Sequence, residues 1–308
     1  MLDTPRFHHL HLNSLDPDAA IDFYVRQFTS TSRTTWAGLP ALASPNNVLI
    51  LFNRVAEPPA VAPETPIWHF GWHVTDARAA MATFRDREGV ELLPLYTGDE
   101  ARTVFISSDT WPGAGGTLGR TTAQIREAKA SGVQPSRNGG FAYLHGPDRA
   151  IVEYAGNYPA ERFNHVHMWQ EEPLCAQLWY QQHLRAAPLP IPAAGSPPTL
   201  DNCKVARGAE RSFPGLEPDG TYRAPSGGVA FGDVWLPWYM RQGEAPLAPT
   251  RGQVYDHFAL GVSGLDAWID KLKMEEVTFL TEPYPLGETR AVMISGPSLE
   301  AVELVEAE

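Results

Sequence analysis

The chain has 308 residues, 43% of them hydrophobic and 10% aromatic, enough to fill the cores of two ordinary domains and too apolar for a disordered chain. A formal net charge of -12 without any Lys/Arg cluster argues against nucleic acid or an anionic membrane surface as a partner, leaving a small-molecule substrate and a homo-oligomer as the partners to expect. The two cysteines, Cys175 and Cys203, are too few for a disulfide framework and lack CxxC spacing, no window approaches about 18 apolar residues, and Met1 to Leu12 has no basic region before an apolar stretch, so a cytoplasmic protein in a reducing compartment is expected.

In chain order, one pattern recurs four times. Phe7-His8-His9-Leu10-His11-Leu12-Asn13 reads as a strand and leads into a helix from about Asp16 to Phe28, with apolar residues three and four apart. Trp68-His69-Phe70-Gly71-Trp72-His73-Val74 leads into a helix from Asp76 and a return strand over Gly89 to Leu93. An insertion follows from about Thr110 to Gly140, with a predicted helix over Thr121 to Ala130; it reads either as a cavity cover or as a surface excursion. Gly146-Pro147-Asp148-Arg149 then makes a turn into the alternating strand Ala150 to Tyr154. The first pattern returns at Phe163 to Trp169, before a helix from Glu172 to Leu184. The second returns at Asp256 to Val262, before a helix from Leu265, a return strand Glu276 to Leu280 and a Gly296-Pro297 turn into a last strand. Proline-rich stretches at 57–66, 186–198 and 243–249 read as linkers and loops. The units span about 6–56, 66–157, 162–242 and 254–308. Paired in chain order, they give domains 1–158 and 159–308.

Each opening strand carries a histidine at the equivalent place, His9, His69, His165 and His257, and the even units end on Glu153 and Glu303. One strand histidine is ordinarily a packed residue, but buried carboxylates in register with four histidines call for a cation. Imidazole and carboxylate suit a divalent metal ion, with Fe2+ or Mn2+ favoured over Zn2+, Ni2+ or Co2+ where two histidines and one carboxylate leave coordination positions open. Chain-order pairing assigns His9, His69 and Glu153 to one triad and His165, His257 and Glu303 to the other. Aligning Ser44 to Asn47 with Gly146 to Arg149 puts Leu51 where Glu153 stands in the second unit, so three ligands are expected there; Asp233 stays open as a further ligand in the third unit.

The catalytic candidates are His11, His167, Tyr284 and Arg290. His11 and His167 lie two residues beyond a metal-ligand histidine, on the same strand face, where they could move a proton; the alternative is a satisfied interior histidine. His73 has the same parity relative to His69, whereas His8, His145 and His183 fall outside the pattern. Tyr284 and Arg290 in the last hairpin, and Tyr239 at the end of the third unit, are placed to face the open end of a site.

The strand openings HLHLNSLDPDAAIDFY, HFGWHVTDARAAM, HVHMWQ and HFALGVSGLDAWI, with the endings GPDRAIVEY and GPSLEAVEL, resemble the vicinal oxygen chelate superfamily of glyoxalases, bleomycin-resistance proteins and dioxygenases. The resemblance covers nearly the whole chain. It implies an α+β fold of four βαβββ modules paired into two domains, each a curved mixed sheet enclosing a cavity, with metal on first-strand histidines and last-strand glutamates. Four modules look like the two-domain extradiol dioxygenases, whose metal normally sits in the C-terminal half; His165, His257 and Glu303 match those positions. Arg290 to Glu303, RAVMISGPSLEAVE, departs from the extradiol fingerprint, which has a histidine and then a tyrosine leading into Asp-Pro-x-Gly. The three-ligand count and the four-module layout put a dioxygenase acting on a catechol-like or hydroquinone-like substrate first. Glyoxalase-like isomerase or lyase chemistry through an enediolate is second, and metal-free drug or metabolite binding third.

Overall fold

In the computed structural model, which describes residues 2–60, 62–98, 102–110, 119–133, 139–189 and 197–307, the four units follow one another along the chain. The first contributes β1 (Arg6–Ser14), α1 (Pro17–Gln27), β2 (Ser32–Trp36), β3 (Leu39–Ala43) and β4 (Leu49–Arg54). The second contributes β5 (Ile67–His73), α2 (Ala77–Arg85), β6 (Glu91–Leu93), β7 (Leu95–Tyr96), β8 (Thr103–Val104), α3 (Thr122–Ala130), β9 (Phe141–His145) and β10 (Ile151–Ala155). The third contributes β11 (Arg162–Gln170), α4 (Pro173–Leu184), β12 (Ala187–Pro188), β13 (Ser226–Phe231) and β14 (Val234–Met240). The fourth contributes β15 (Tyr255–Val262), α5 (Leu265–Met274), β16 (Tyr284–Leu286), β17 (Thr289–Ser295) and β18 (Ala301–Glu306).

Local chemistry sets the element starts. The Asp16 side chain accepts from Ala19 N and Pro17 opens α1, whose Ala20, Ile21, Phe23 and Tyr24 are buried. Asp76 caps α2 by accepting from Arg78 N and Ala79 N. Thr121 and Gln124 form a reciprocal capping box on α3, the helix expected inside the insertion; residues 111–118 and 134–138 of that insertion lie outside the described residues. The return strand expected at Glu276 to Leu280 is reduced to a single bridge between Phe279 and Ile294.

Two eight-stranded sheets carry the fold, with strand orders β16-β17-β18-β15-β1-β4-β3-β2 (sheet 1) and β12-β13-β14-β11-β5-β10-β9-β6 (sheet 2). Units 1 and 4 therefore share sheet 1, and units 2 and 3 share sheet 2. The chain-order pairing into 1–158 and 159–308 is corrected, since each sheet takes one unit from each half. All four opening strands present the same apolar pattern, so each is an acceptable partner for any other.

The central pairs repeat one register. His9 lies opposite Ala259 and His11 opposite His257 in sheet 1; His165 lies opposite Gly71 and His167 opposite His69 in sheet 2. Both pairs are irregular at the same places, between Phe7 and His9 and between Phe163 and His165. An extra residue there reverses the strand's alternation. Phe7 and Phe163 consequently point into the core, stacked on each other at 5.6 Å and on Phe258 and Phe70, while His9 and His165 point into the concave face.

A buried polar knot ties the sheets together. Glu300 Oε1 accepts from Gln170 Nε2 at 2.9 Å and Tyr180 OH at 2.6 Å, Glu300 Oε2 accepts from Ser298 N at 2.9 Å, and Ser298 Oγ donates to Gln170 Oε1 at 2.6 Å. Burial outweighs these donors and raises the Glu300 carboxyl above its ordinary pKa.

Cys175, in the first turn of α4, is disulfide-bonded to Cys203, with a Cα–Cα distance of 4.8 Å. This single cross-link removes the argument that the two cysteines supplied for a reducing compartment. No helix among the described residues is long and apolar enough to cross a membrane.

Candidate metal centres

In sheet 1, β1, β15 and β18 bring His9, His257 and Glu303 together at the floor of the concave face. His9 Nε2 lies 3.2 Å from Glu303 Oε2, and His257 Nε2 lies 3.8 Å from it. All three atoms are buried without a properly formed hydrogen bond. Converging lone pairs shut away from water cost about 1–3 kcal/mol each, and a cation among them relieves that cost. The donor set fits a divalent metal.

Outer contacts aim these atoms. His257 Nδ1–H donates to Asp256 Oδ1 at 2.6 Å, which leaves Nε2 with its lone pair facing the cluster. His8 and His9 share a hydrogen bond between their Nδ1 atoms at 2.9 Å, and Tyr284 OH donates to Glu303 Oε1. Burial opposes charge on Glu303, but the imidazoles of His257 and His9 close to it outweigh that and hold the carboxyl far below its usual range. Burial likewise opposes charge on His257, yet Asp256 and Glu303 raise its pKa; His9 is lowered, chiefly by burial. Above the cluster opens a cavity of about 610 Å³ whose walls include His11, Asn13, Asn53, Arg251, Thr281 and Tyr284.

Sheet 2 repeats the arrangement with His69, His165 and Glu153. His69 Nε2 is 3.2 Å from Glu153 Oε2 and 3.3 Å from His165 Nε2, and His165 Nε2 is 4.0 Å from Glu153 Oε2. Asn164 Oδ1 accepts from His165 Nδ1 at 2.8 Å, and Tyr143 OH donates to Glu153 Oε2 at 2.6 Å. Burial opposes charge on Glu153, but His165, His69 and Tyr143 pull its carboxyl down to about 2; burial pushes His165 down to about 4. The cavity here is smaller, about 200 Å³, and aromatic, walled by Trp68, Phe141, Tyr143, Trp235 and Tyr239 with Arg223.

All six metal-ligand candidates thus reach a cluster, but in a different partition. The triads are His9, His257, Glu303 and His69, His165, Glu153, correcting the chain-order triads, because the first strands pair β1 with β15 and β5 with β11. Leu51 does stand at the fourth-ligand position, opposite His11 on the parallel β1–β4 pair. In β14 the register from His165↔Trp235 to Met168↔Trp238 puts Pro237 at the same place. Asp233 is corrected as a fourth ligand: it lies at the surface, paired with Arg162 and accepting from Asn46 Nδ2.

His11 is half-buried, its ring 4.5 Å from that of His257, and its pKa is held well below the ordinary value by burial and by His257. His167 is buried in sheet 2 with its ring 4.9 Å from that of His69. Tyr284 reaches the sheet 1 centre and Tyr239 the sheet 2 cavity. Arg290 does not reach either: it is exposed and pairs with Asp266 at 3.1 Å and Glu306 at 3.2 Å, so its assignment as a catalytic candidate is corrected. His73 stacks on Tyr158 at 3.3 Å, His145 bonds Glu91 and His183 bonds Glu275, each at 2.8 Å.

Sequence reasoning missed the orienting residues. Asp256, Asn164 and His8 each immediately precede a candidate ligand histidine and each hydrogen-bonds its Nδ1. Their adjacency was the available signal. Trp68 stands at the fourth such place, cannot do this through its side chain, and leaves His69 Nδ1 buried without a partner. Tyr143, Arg251 and Arg223 carried no comparable pattern.

No family model and no curated protein matches the sequence. Solved structures do match. Glyoxalase I from Zea mays aligns over 98% of this chain and 92% of that chain, with a TM-score of 0.62 at 15% identity; a glutamate-to-glutamine mutant of that enzyme aligns over 98% and 94%, with 0.60 at 13%. A proposed dioxygenase from Bacillus subtilis subsp. subtilis str. 168 aligns over 99% and 86%, with 0.57 at 9%. At such identities the likeness is one of fold.

Proposed function

Because the chain has the vicinal oxygen chelate fold in its four-module form, we propose that it is a divalent-metal enzyme whose working centre is His9, His257 and Glu303. We assign it the dioxygen-dependent ring opening of a catechol-like or hydroquinone-like compound. The observation that carries this reading is the ligand count: three unpartnered ligand atoms converge, and the fourth position holds Leu51. Two histidines and one carboxylate leave neighbouring positions open, the pattern of non-haem iron and manganese oxygen chemistry. When bound, such a metal supplies Lewis acidity to two adjacent substrate oxygens and a place for dioxygen.

The chain's own residues do the rest. His11, kept neutral beside His257, is placed to take a proton from a substrate hydroxyl. Tyr284 holds Glu303 by Oε1 and so keeps Oε2 turned to the cluster. Arg251 at the cavity mouth, half-exposed and 3.2 Å from Asp256, offers positive charge to a phenolate or carboxylate. Glyoxalase-like chemistry would call for a further carboxylate where Leu51 stands. Metal-free binding would leave the three buried ligand atoms uncompensated.

The test is elemental mass spectrometry on protein purified without an affinity tag, followed by oxygen-uptake assays of the iron- or manganese-loaded enzyme across catechols and hydroquinones. Uptake abolished in His257→Ala is the expected result. Absence of bound metal after anaerobic reconstitution would defeat the enzyme reading, and turnover of an α-oxoaldehyde thiol adduct without oxygen uptake would replace ring cleavage with isomerisation.

A further inference from the structure

Resting on the metal-enzyme reading, we propose that sheet 2 holds its metal with four protein ligands, His167 joining His69, His165 and Glu153. One ligand atom from each of these four residues lies within 4.8 Å of those of the other three. His167 sits directly across the β5–β11 pair from His69, and only 8% of its surface is exposed. Its Nε2 is buried and accepts or donates no hydrogen bond. A histidine kept only for packing is expected to find a partner. Instead the rings of Trp68, Tyr239 and Trp169 surround this one, at 5.1, 4.7 and 6.4 Å.

The neighbouring strand explains the opening. Pro237 occupies the register position from which another vicinal carboxylate would reach the metal, and it has no ligand atom to offer. His167 lines the same cavity from the adjacent β11. The result is a set of three imidazoles and one carboxylate, suited to zinc, copper, nickel or iron. In sheet 1 the equivalent His11 lies within 4.8 Å of His9 and His257 by one ligand atom each, in a group that does not include Glu303, so the set of four is complete only in sheet 2, where the cavity is about 200 Å³ against about 610 Å³. The two centres therefore differ in the room above them and in whether the carboxylate lies with the histidine ligand atoms as one close group.

Copper(II) titrated into metal-free protein, with imidazoles counted by electron spin echo modulation, tests this. His257→Ala disables the sheet 1 centre and leaves sheet 2 to be read alone. That variant is expected to bind one copper with three imidazoles; adding His167→Gln, which keeps a side chain of similar reach, should lower the count to two and weaken affinity by roughly a hundredfold. A count of two with His167 intact overturns the proposal, and so does wild-type protein that binds one metal which His257→Ala loses entirely. In that last case the sheet 1 reading survives, whereas wild-type protein that binds no metal at all would remove both.

Discussion

Gly71 is the residue on which the geometry of sheet 2 turns. A Cβ built there would lie 2.0 Å from His165 Cε1 and 2.5 and 2.6 Å from its two ring nitrogens. Ordinary carbon contacts fall at about 3.5–4.0 Å, so Gly71→Ala must drive the imidazole back by roughly 1.5 Å. Metal–ligand bonds tolerate departures of only about 0.2 Å. His165 cannot retreat that far and still present Nε2 to the cluster while Asn164 holds its Nδ1 at 2.8 Å. The expected outcome is a loss of metal affinity at sheet 2 of at least about tenfold, with an overpacking cost of about 1–3 kcal/mol. Isothermal titration of metal-free protein, wild type against Gly71→Ala and each in a His257→Ala background, measures the first; urea unfolding measures the second. Ala259 holds the equivalent position in sheet 1, opposite His9, so that sheet already accommodates the methyl group and the single substitution should leave its site unchanged. Unaltered sheet 2 affinity in Gly71→Ala would refute the assignment of His165 as a ligand in the orientation described.

Tyr284→Phe removes the donor to Glu303 Oε1 without changing the ligands; metal affinity should fall about ten- to a hundredfold, read by titration, while the fold is kept. Glu300 gives a pH signature. Its folded pKa is raised above the ordinary 4.5, so the stability its protonation contributes is fully present below pH 4.5 and is lost as the pH rises through the folded value. Unfolding free energies of Glu300→Gln relative to wild type should therefore shift in favour of the variant between about pH 4.5 and neutrality, and a difference that stays flat would show that the carboxyl titrates normally. Cys203→Ser opens a cross-link between residues 28 apart in sequence and should cost about 2–4 kcal/mol, with wild type treated with dithiothreitol matching the variant in urea unfolding.

Much of this was readable from the chain because the hydrophobic period is strong and repeated. Phe7 to Asn13 and Phe163 to Trp169 could only be strands, and buried Glu303 in Ala301–Glu306 could hardly be solvated. The partners of those strands were not readable. Four near-equivalent first strands carry no label saying which meets which, so the triads could be assembled only once β1 was seen against β15. Arg290 failed for a simpler reason. With the tight turn at Gly287–Glu288, Tyr284 pairs with Ala291 and Pro285 with Arg290. Tyr284 and Arg290 then take opposite faces, as strand alternation in that hairpin requires. The same alternation, applied with the turn identified, would have separated them.

The nested pairing also changes what metal binding means for the fold. His9 comes from the N-terminal half and His257 with Glu303 from the C-terminal half; His69 with Glu153 and His165 divide the other way. Neither half of the chain contains a complete proposed ligand set. A metal at either centre binds only the state in which the two halves have closed on each other, so it stabilises that state by mass action, about 2.7 kcal/mol at a free concentration one hundred times the Kd. The inter-sheet knot of Gln170, Tyr180, Ser298 and Glu300 acts on the same closure by tying the end of β11 and α4 to the turn before β18. Site and scaffold are thus coupled through the central strand pairs: a change that loosens β1 against β15 removes a ligand and a sheet contact together, whereas a change at Tyr284 touches the ligand field alone.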